Sequence, residues 1–196
     1  MAIYALNKPF GVLSQFSNEG ARAGLGTLSL GLPRDAYAIG RLDADSEGLL
    51  LLSDEREMNG KLLDPQRPHG RTYWVQVEGT PTAEILMQLR QPLDLKIQGK
   101  AFRSRACEVQ TMAEPAGISA RIPPIRVRHA IPTAWLRMVL QEGKNRQVRK
   151  MTAAVGLPTL RLIRAAWGPL ELATLGLLPG EVRILTASER NQLLGT

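Results

Sequence analysis

The sequence predicts an α+β protein built on a mainly antiparallel central sheet flanked by helices and loops. Three observations point there. Strand patterns come in runs rather than in strict alternation with helices. The chain is 196 residues, 44% hydrophobic and 22% charged, which supports a real core without staples. No GxGxxG follows a strand and no Walker-type loop is present, so nucleotide-cofactor folds are disfavoured. No period of 20 to 50 residues repeats, which removes solenoids. One domain spanning residues 1–196 is expected.

The elements follow from pattern and punctuation. Ile3 to Asn7 reads as a strand ended by the turn Lys8-Pro9-Phe10-Gly11, with Val12 to Ser17 pairing back. Residues 18–34 read as loop with one short helix. Tyr37 to Ile39 is a strand running into Gly40. Leu49 to Ser53 is an aliphatic strand buried on both faces. Glu55 to Leu63 looks helical, with Met58, Leu62 and Leu63 on one side. Thr72 to Glu78 alternates Tyr73, Val75 and Val77 against polar neighbours, a strand pattern. Thr80-Pro81 opens a helix over Ala83 to Arg90. Ala101 to Thr111 is extended, and the four prolines between 112 and 133 mark a long exposed loop. Trp135 to Gln141 alternates as a strand. Asn145 reads as the N-cap of a helix carrying Val148, Met151, Thr152 and Val155 on one face, stopped by Gly156 and Pro158. Thr159 to Ala166 and Glu181 to Leu185 are strands, followed by a short C-terminal helix.

Charge is unevenly distributed. Residues 121–164 hold ten basic groups and one acid, Glu142, whereas the other 152 residues carry 15 basic and 17 acidic groups. A field this localised attracts a polyanion to one surface, and its richness in arginine suits phosphates and stacked bases. No long amphipathic helix with bulky anchors argues for a membrane partner. The longest aliphatic run, Leu49 to Leu52, is far short of a span. The N-terminus lacks a signal-peptide pattern, and the single cysteine, Cys107, fits a reducing cytoplasm as inert packing. With two histidines, His69 and His129, and one cysteine, a metal centre is not expected.

Two segments carry chemistry. Gly40 to Leu52 (GRLDADSEGLLLL) sets acids on a polar turn between apolar strands, with glycine at both ends for the bend. Asp and Ser also favour turns by bonding their own backbone, so Asp43 is either a catalytic carboxylate or a turn residue. Asp45 and Glu47 read as turn and cap residues. Glu142 to Met151 (EGKNRQVRKM) places Arg146, Arg149 and Lys150 on one face of the predicted helix, with no interleaved acids to neutralise them.

Together these segments resemble the motifs of bacterial pseudouridine synthases of the small-subunit synthase A type. The turn is similar to the family signature GRLD-x-x-SEGLLLL. Lys8 to Leu13 resembles its KP-x-G opening, Arg71 to Val75 its second motif and EGKNRQVRKM its third. TLRLIRAAWGPL (159–170) resembles the segment that follows. Five ordered motifs span nearly the whole chain. Most relatives carry an S4-type RNA-binding domain first. Here the opening motif begins at Lys8, which leaves no room for one and resembles the branch that acts on the large ribosomal subunit.

The resemblance implies the pseudouridine synthase fold, with two lobes around a catalytic cleft. It implies isomerisation of a specific uridine in ribosomal RNA, 23S for that branch, with a flipped-out base. The N1–C1′ bond breaks and C5 bonds to C1′, so no cofactor is needed. Asp43 matches the essential aspartate, acting as nucleophile at the sugar, nucleophile at the base, or general base. Arg149 matches the arginine that pairs with it and keeps it ionised. Tyr73 matches the aromatic that packs on uracil and accepts the C5 proton. Leu162 matches a pocket residue, and Arg41 is assigned to the same pocket. Lys144, Arg146, Lys150, Arg161 and Arg164 are assigned to RNA. A monomer is expected.

The leading alternative is a non-catalytic rRNA-binding or ribosome-assembly module, for which the basic segment would suffice. Such a module has no use for a carboxylate that repels RNA. An RNA hydrolase would call for clustered metal-binding carboxylates or a histidine pair.

Overall fold

The structure, a computed structural model, places its β-strands and α-helices along the chain in order, with one 3₁₀ helix, Leu25–Leu28, where a short helix was expected in the loop 18–34. The strands and α-helices are β1 (Ile3–Lys8), β2 (Tyr37–Ile39), β3 (Glu47–Ser53), α1 (Met58–Leu62), β4 (Arg71–Glu78), α2 (Ala83–Arg90), β5 (Asp94–Ile97), β6 (Lys100–Arg103), β7 (Glu108–Met112), β8 (Thr133–Leu140), α3 (Gln147–Ala154), β9 (Thr159–Trp167), β10 (Leu170–Glu171), α4 (Leu172–Leu175), β11 (Val182–Ile184) and α5 (Ala187–Leu194). The structure describes all residues except Met1, Arg67, Pro68, Val127, His129 and Thr196. The chain divides into two compact units, Met1–His69 with Ile163–Thr196, and Gly70–Leu162. The strand pairings described are antiparallel, save that between β3 and β9.

In the first unit β3 is the central strand. All seven of its residues are buried, as the run of four leucines predicted. β1 lies antiparallel along it from Ile3↔Ser53 to Lys8↔Gly48, and β11 covers the other edge of β1. On its second edge β3 meets β2 at Leu51 to Ser53 and, in parallel, β9 at Glu47↔Ile163 and Gly48↔Arg164. Gly48 has φ +100°, and a Cβ there would lie 2.4 Å from the Arg164 carbonyl oxygen. Only glycine permits that approach.

Two expectations change in this unit. Val12 to Ser17 does not pair back as a strand. Instead its backbone bonds the following loop, Leu13 N to Ala23 O and Leu25 N to Gln15 O, at 2.9 and 2.7 Å. The helix expected from Glu55 begins only at Met58. Glu55 is 6% exposed, with its carboxylate ion-paired to Arg190 of α5 and its carbonyl accepting from the Tyr37 hydroxyl. Glu55 O also accepts from Met58 N at 3.0 Å, so residues 55–58 close as a single turn ahead of the helix.

In the second unit β4 and β8 pair over eight residues, Arg71↔Leu140 to Glu78↔Thr133, with β7 on the far edge of β8. Tyr73, Val75 and Val77 are the buried positions of β4, as their alternation predicted. α2 is capped by the Thr82 hydroxyl, which accepts from Ile85 N, and it buries Leu89. The stretch expected to be mostly extended, Ala101 to Thr111, holds two strands with different partners. β6 pairs with β5 in a separate hairpin, while β7 joins β8. The buried Ser104 makes the break: its N–H donates to Leu93 O and its Oγ accepts from Leu93 N, both at 2.9 Å. Cys107 is half-buried. Its thiol is pushed up to about 11 by burial, with Glu108 and Glu142 adding to the effect. It therefore stays protonated and unreactive at neutral pH.

Gly48→Ala is expected to lower stability by about 2 kcal/mol or more, from a strained φ and a backbone clash. Gly60→Ala in α1, where a Cβ meets nothing within 4 Å, is the matched control and should be neutral or stabilising. Equal thermal shifts for the two variants would show that the close approach at Gly48 is not what excludes a side chain.

Candidate active site

The acidic turn belongs to the first unit and is stitched to the segment before it by backbone geometry. Ser14, 5% exposed, bonds Leu42 twice. Its Oγ donates to Leu42 O at 2.8 Å and accepts from Leu42 N at 2.9 Å. Gly11 N donates to Ala44 O at 2.7 Å, and Ser46 N closes the turn onto Asp43 O at 3.0 Å. Asp43 is thereby flanked on both sides by residues whose backbone cannot drift. Its side chain is half-buried, next to the buried Leu42 and one turn before the buried Ser46.

Near this turn is a group of buried charges, Lys8, Glu47 and Arg164. Lys8 has no exposed surface, and its ammonium donates to Val12 O at 2.7 Å and Pro9 O at 2.9 Å. Those bonds close the Lys8-to-Val12 turn, which presents Gly11 N to Ala44. Burial pushes the Lys8 pKa down to about 8, with nearby Arg164 acting in the same direction and Glu47, Asp45 and Asp43 opposing it. At neutral pH Lys8 is still mostly charged. Glu47 is 7% exposed, so the expectation of a turn or cap residue is corrected: it is a buried counter-charge at the start of β3.

Arg164 does not reach RNA as its sequence position suggested. It is 2% exposed, donates Nε to Leu49 O at 2.6 Å, and sits 4.6 Å from the centroid of the Trp167 ring. Its place in β9, opposite Gly48, turns it into the core. Arg41 is exposed, 3.4 Å from Gln15 Oε1.

The second unit holds the remaining candidates. Tyr73 is 8% exposed on β4, and Leu162 is 5% exposed on β9. Arg149, on α3, is half-buried and donates to Thr159 O at 3.3 Å. Arg161 is 7% exposed and donates to Ser119 O at 2.9 Å, so it anchors the proline-rich loop rather than an RNA phosphate. The single basic helix face is also corrected. Asn145 is not the N-cap: Gln147 closes the turn, its N–H donating to Lys144 O and its Oε1 accepting from Lys144 N. Arg146 is forced into the left-handed region at φ +53° and lies outside the helix. Lys150 is half-buried, with its ammonium on the Lys96 carbonyl. Lys144 and Arg146 are exposed.

Sequence reasoning missed Ser14 and the burial of Lys8, Glu47 and Arg164. Nothing in the pattern marks Ser14. Lys8 carried a signal, since a lysine that continues a strand pattern into a Pro-Phe-Gly turn has buried neighbours on both sides.

The turn thus holds a half-buried carboxylate on a fixed backbone within electrostatic reach of a buried ammonium. Comparison with known proteins defines the class. The chain belongs to the RNA pseudouridylate synthase family, whose model matches residues 2–154. It is an RNA pseudouridine synthase, an isomerase.

Particular relatives narrow the likeness. The chain is 49% identical over 170 residues to the ribosomal large subunit pseudouridine synthase E of Xanthomonas axonopodis pv. citri, covering 87% of each chain. It is 44% identical over 180 residues to the same-named protein of Vibrio vulnificus, covering 91% of this chain and 73% of that one. The fold is shared with a solved pseudouridylate synthase at TM-score 0.78 and 21% identity, over 98% of this chain and 73% of that one.

The buried lysine gives a stability signature. Below pH 8 folded and unfolded chains both hold its proton, and the folded chain bears the cost of burying the charge. Between about 8 and the ordinary 10.5 the folded chain has released the proton while the unfolded chain keeps it, so Lys8 makes stability rise with pH. The full span is on the order of 3 kcal/mol. Lys8→Met is expected to lack this rise. Denaturant unfolding from pH 7.5 to about 10.5 checks it, and parallel curves for the two proteins would exclude a displaced Lys8 pKa.

Proposed function

We propose that the protein isomerises one specific uridine of ribosomal RNA, in the 23S molecule, to pseudouridine. It thereby belongs with the large-subunit branch of the small-subunit synthase A type. The observation that carries this reading is the 49% identity, over 87% of both chains, to a relative named for that activity. A site in the cytoplasm and action as a monomer go with it. No helix among the described residues is long and apolar enough to cross a membrane.

Asp43 is the proposed catalytic carboxylate, supported by its match to the GRLD motif and by the pinned turn that carries it. In the reaction N1–C1′ breaks, the uracil turns over, C5 bonds to C1′, the C5 proton is lost to a base, and the freed N1 takes up a proton, so the composition is unchanged. Every atom of the uridine is retained, so a carboxylate and a proton acceptor suffice. Tyr73 is proposed to pack on the uracil and take that proton. Leu162 is proposed to line the base pocket, Arg41 to border it, and Lys144 and Arg146 to hold phosphates.

Asp43→Asn is expected to abolish pseudouridine formation while keeping fold and RNA affinity, because only the charge is removed. The test is incubation with total rRNA from a strain deleted for the gene, followed by chemical mapping of pseudouridines. One new pseudouridine in 23S rRNA with the wild type and none with Asp43→Asn is the expected result. Turnover by the Asn variant would remove Asp43 from catalysis. Modification of no rRNA would overturn the substrate.

The family resemblance pairs Arg149 with the catalytic aspartate. On that reading Arg149→Ala raises the aspartate pKa, so the single-turnover rate falls at neutral pH and recovers partly as pH rises. Lys144→Ala should instead weaken RNA affinity with an unshifted profile. Superimposable pH profiles for the two variants would reduce Arg149 to a phosphate ligand.

A further inference from the structure

Among the described residues four serines are buried, Ser14, Ser46, Ser53 and Ser104. Three of them use their hydroxyls. Ser14 Oγ donates to Leu42 O and accepts from Leu42 N, at 2.8 and 2.9 Å. Ser53 Oγ donates to Ala2 O at 2.8 Å and accepts from Glu55 N at 3.0 Å. Ser104 Oγ accepts from Leu93 N at 2.9 Å. Ser46 differs. It is 1% exposed, and its Oγ has no hydrogen-bond partner among the described residues. An unpaired buried hydroxyl lowers stability, and alanine in its place would carry no such cost.

Ser46 stands where a spare donor has a use. Its N–H closes a four-residue turn onto Asp43 O at 3.0 Å, with Ala44 and Asp45 at the corners. The residues that open and close a β-turn have Cα atoms within about 7 Å of each other, which puts a serine hydroxyl within side-chain reach of the Asp43 carboxylate. The hydroxyl is not what holds the turn. The bonds from Gly11 N to Ala44 O, from Ser46 N to Asp43 O and between Ser14 and Leu42 all use other atoms. Asp43 is half-buried, between core and solvent. A carboxylate accepts about four hydrogen bonds, and a uracil packed against it takes away those that water supplies. A fixed donor then counts for more than it does in the open site.

Resting on the reading that Asp43 is the catalytic carboxylate, we propose that Ser46 is a positioning residue for it: with the uridine bound, the Ser46 hydroxyl donates to the Asp43 carboxylate and holds it in one rotamer for the reaction. Ser46 touches no substrate atom and takes no proton. The unpaired hydroxyl of the free protein is the donor kept for the bound state. Its removal therefore lowers turnover, leaves RNA affinity alone and does not destabilise the fold.

The test uses the full chain and total rRNA from a strain deleted for the gene, with wild type, Asp43→Asn, Ser46→Ala, Ser46→Thr and Ser46→Val. Single-turnover pseudouridine formation is followed over a range of RNA concentrations, and thermal unfolding is measured in parallel. A hydrogen bond to a charged group is worth about 10- to 100-fold, so Ser46→Ala is expected to lower the rate at saturating RNA by about that factor. Its half-saturating RNA concentration should stay within about twofold of wild type. Its melting temperature should equal or exceed that of wild type. Thr and Val are both branched at Cβ and differ by one hydroxyl. Ser46→Thr is therefore expected to react at least about tenfold faster than Ser46→Val, whatever the added methyl does to both.

Wild-type turnover in Ser46→Ala would overturn the proposal. Equal rates for Ser46→Thr and Ser46→Val would overturn it as well, because the loss would then follow volume and not the hydroxyl. A slower Ser46→Ala that saturates normally once RNA is raised would make Ser46 an affinity determinant and also refute the role. If the wild type modified no rRNA uridine, or Asp43→Asn kept full turnover, the reading of the site would fall first and the role of Ser46 with it.

Discussion

The ammonium of Lys8 is a charge held where no solvent reaches it, and the acidic turn depends on it. Two of its protons go to Pro9 O and Val12 O, which locks the tight turn after β1. That turn presents Gly11 N to Ala44 O, in the middle of the segment from Asp43 to Ser46. Ser14, two residues beyond, grips Leu42 by both its N–H and its carbonyl. A lysine, a glycine and a serine from one short stretch thus fix the backbone on either side of Asp43.

Burying a cation is costly, and the fold offsets the cost locally. Glu47, Asp45 and Asp43 favour the charged lysine, whereas burial and Arg164 oppose it, and burial is the largest effect. The glycine at 48 makes the arrangement possible. By letting the Arg164 backbone come within a distance that no Cβ tolerates, it brings β9 against β3 and sets the Arg164 guanidinium beside Trp167. The second unit uses a different device. There Gln147 folds its amide back onto Lys144, and α3 starts one residue later than capping rules suggest, which leaves Lys144 and Arg146 outside the helix and exposed. Charges placed in the core by one unit organise a turn, and charges left at the surface by the other are available to a polyanion.

Much of this was legible in the sequence, for identifiable reasons. The aliphatic run of β3 and the alternation of β4 are periodic signals, and both strands appear where they were expected. The proline-rich loop and the stops after β1 and α3 follow from residues with few backbone options. What the sequence hid depended on distant partners. Arg161 and Arg164 look alike in a basic stretch and alike on a list of phosphate ligands, but one bonds Ser119 O and the other Leu49 O. The late start of the helix expected from Glu55 goes with an ion pair to Arg190, 135 residues away. The hairpin β5–β6 was invisible because its turn, Gln98-Gly99, lacks the Asn or Asp that usually announces one. Among the candidate site residues, the pinned backbone at Asp43 could not be read, since Ser14 carries no pattern at all.

The central claim is that the buried lysine holds the turn bearing Asp43. Amide hydrogen exchange at Gly11 and Ser46, compared between wild type and Lys8→Met, tests it most directly. These two N–H groups close the turn onto Ala44 O and Asp43 O. The account requires their protection to fall by at least about tenfold in Lys8→Met, a loss of about 1.4 kcal/mol, while amides of β3 keep theirs. Unchanged protection at Gly11 and Ser46 would mean that the turn stands without Lys8, and the account of how the site is held would be wrong.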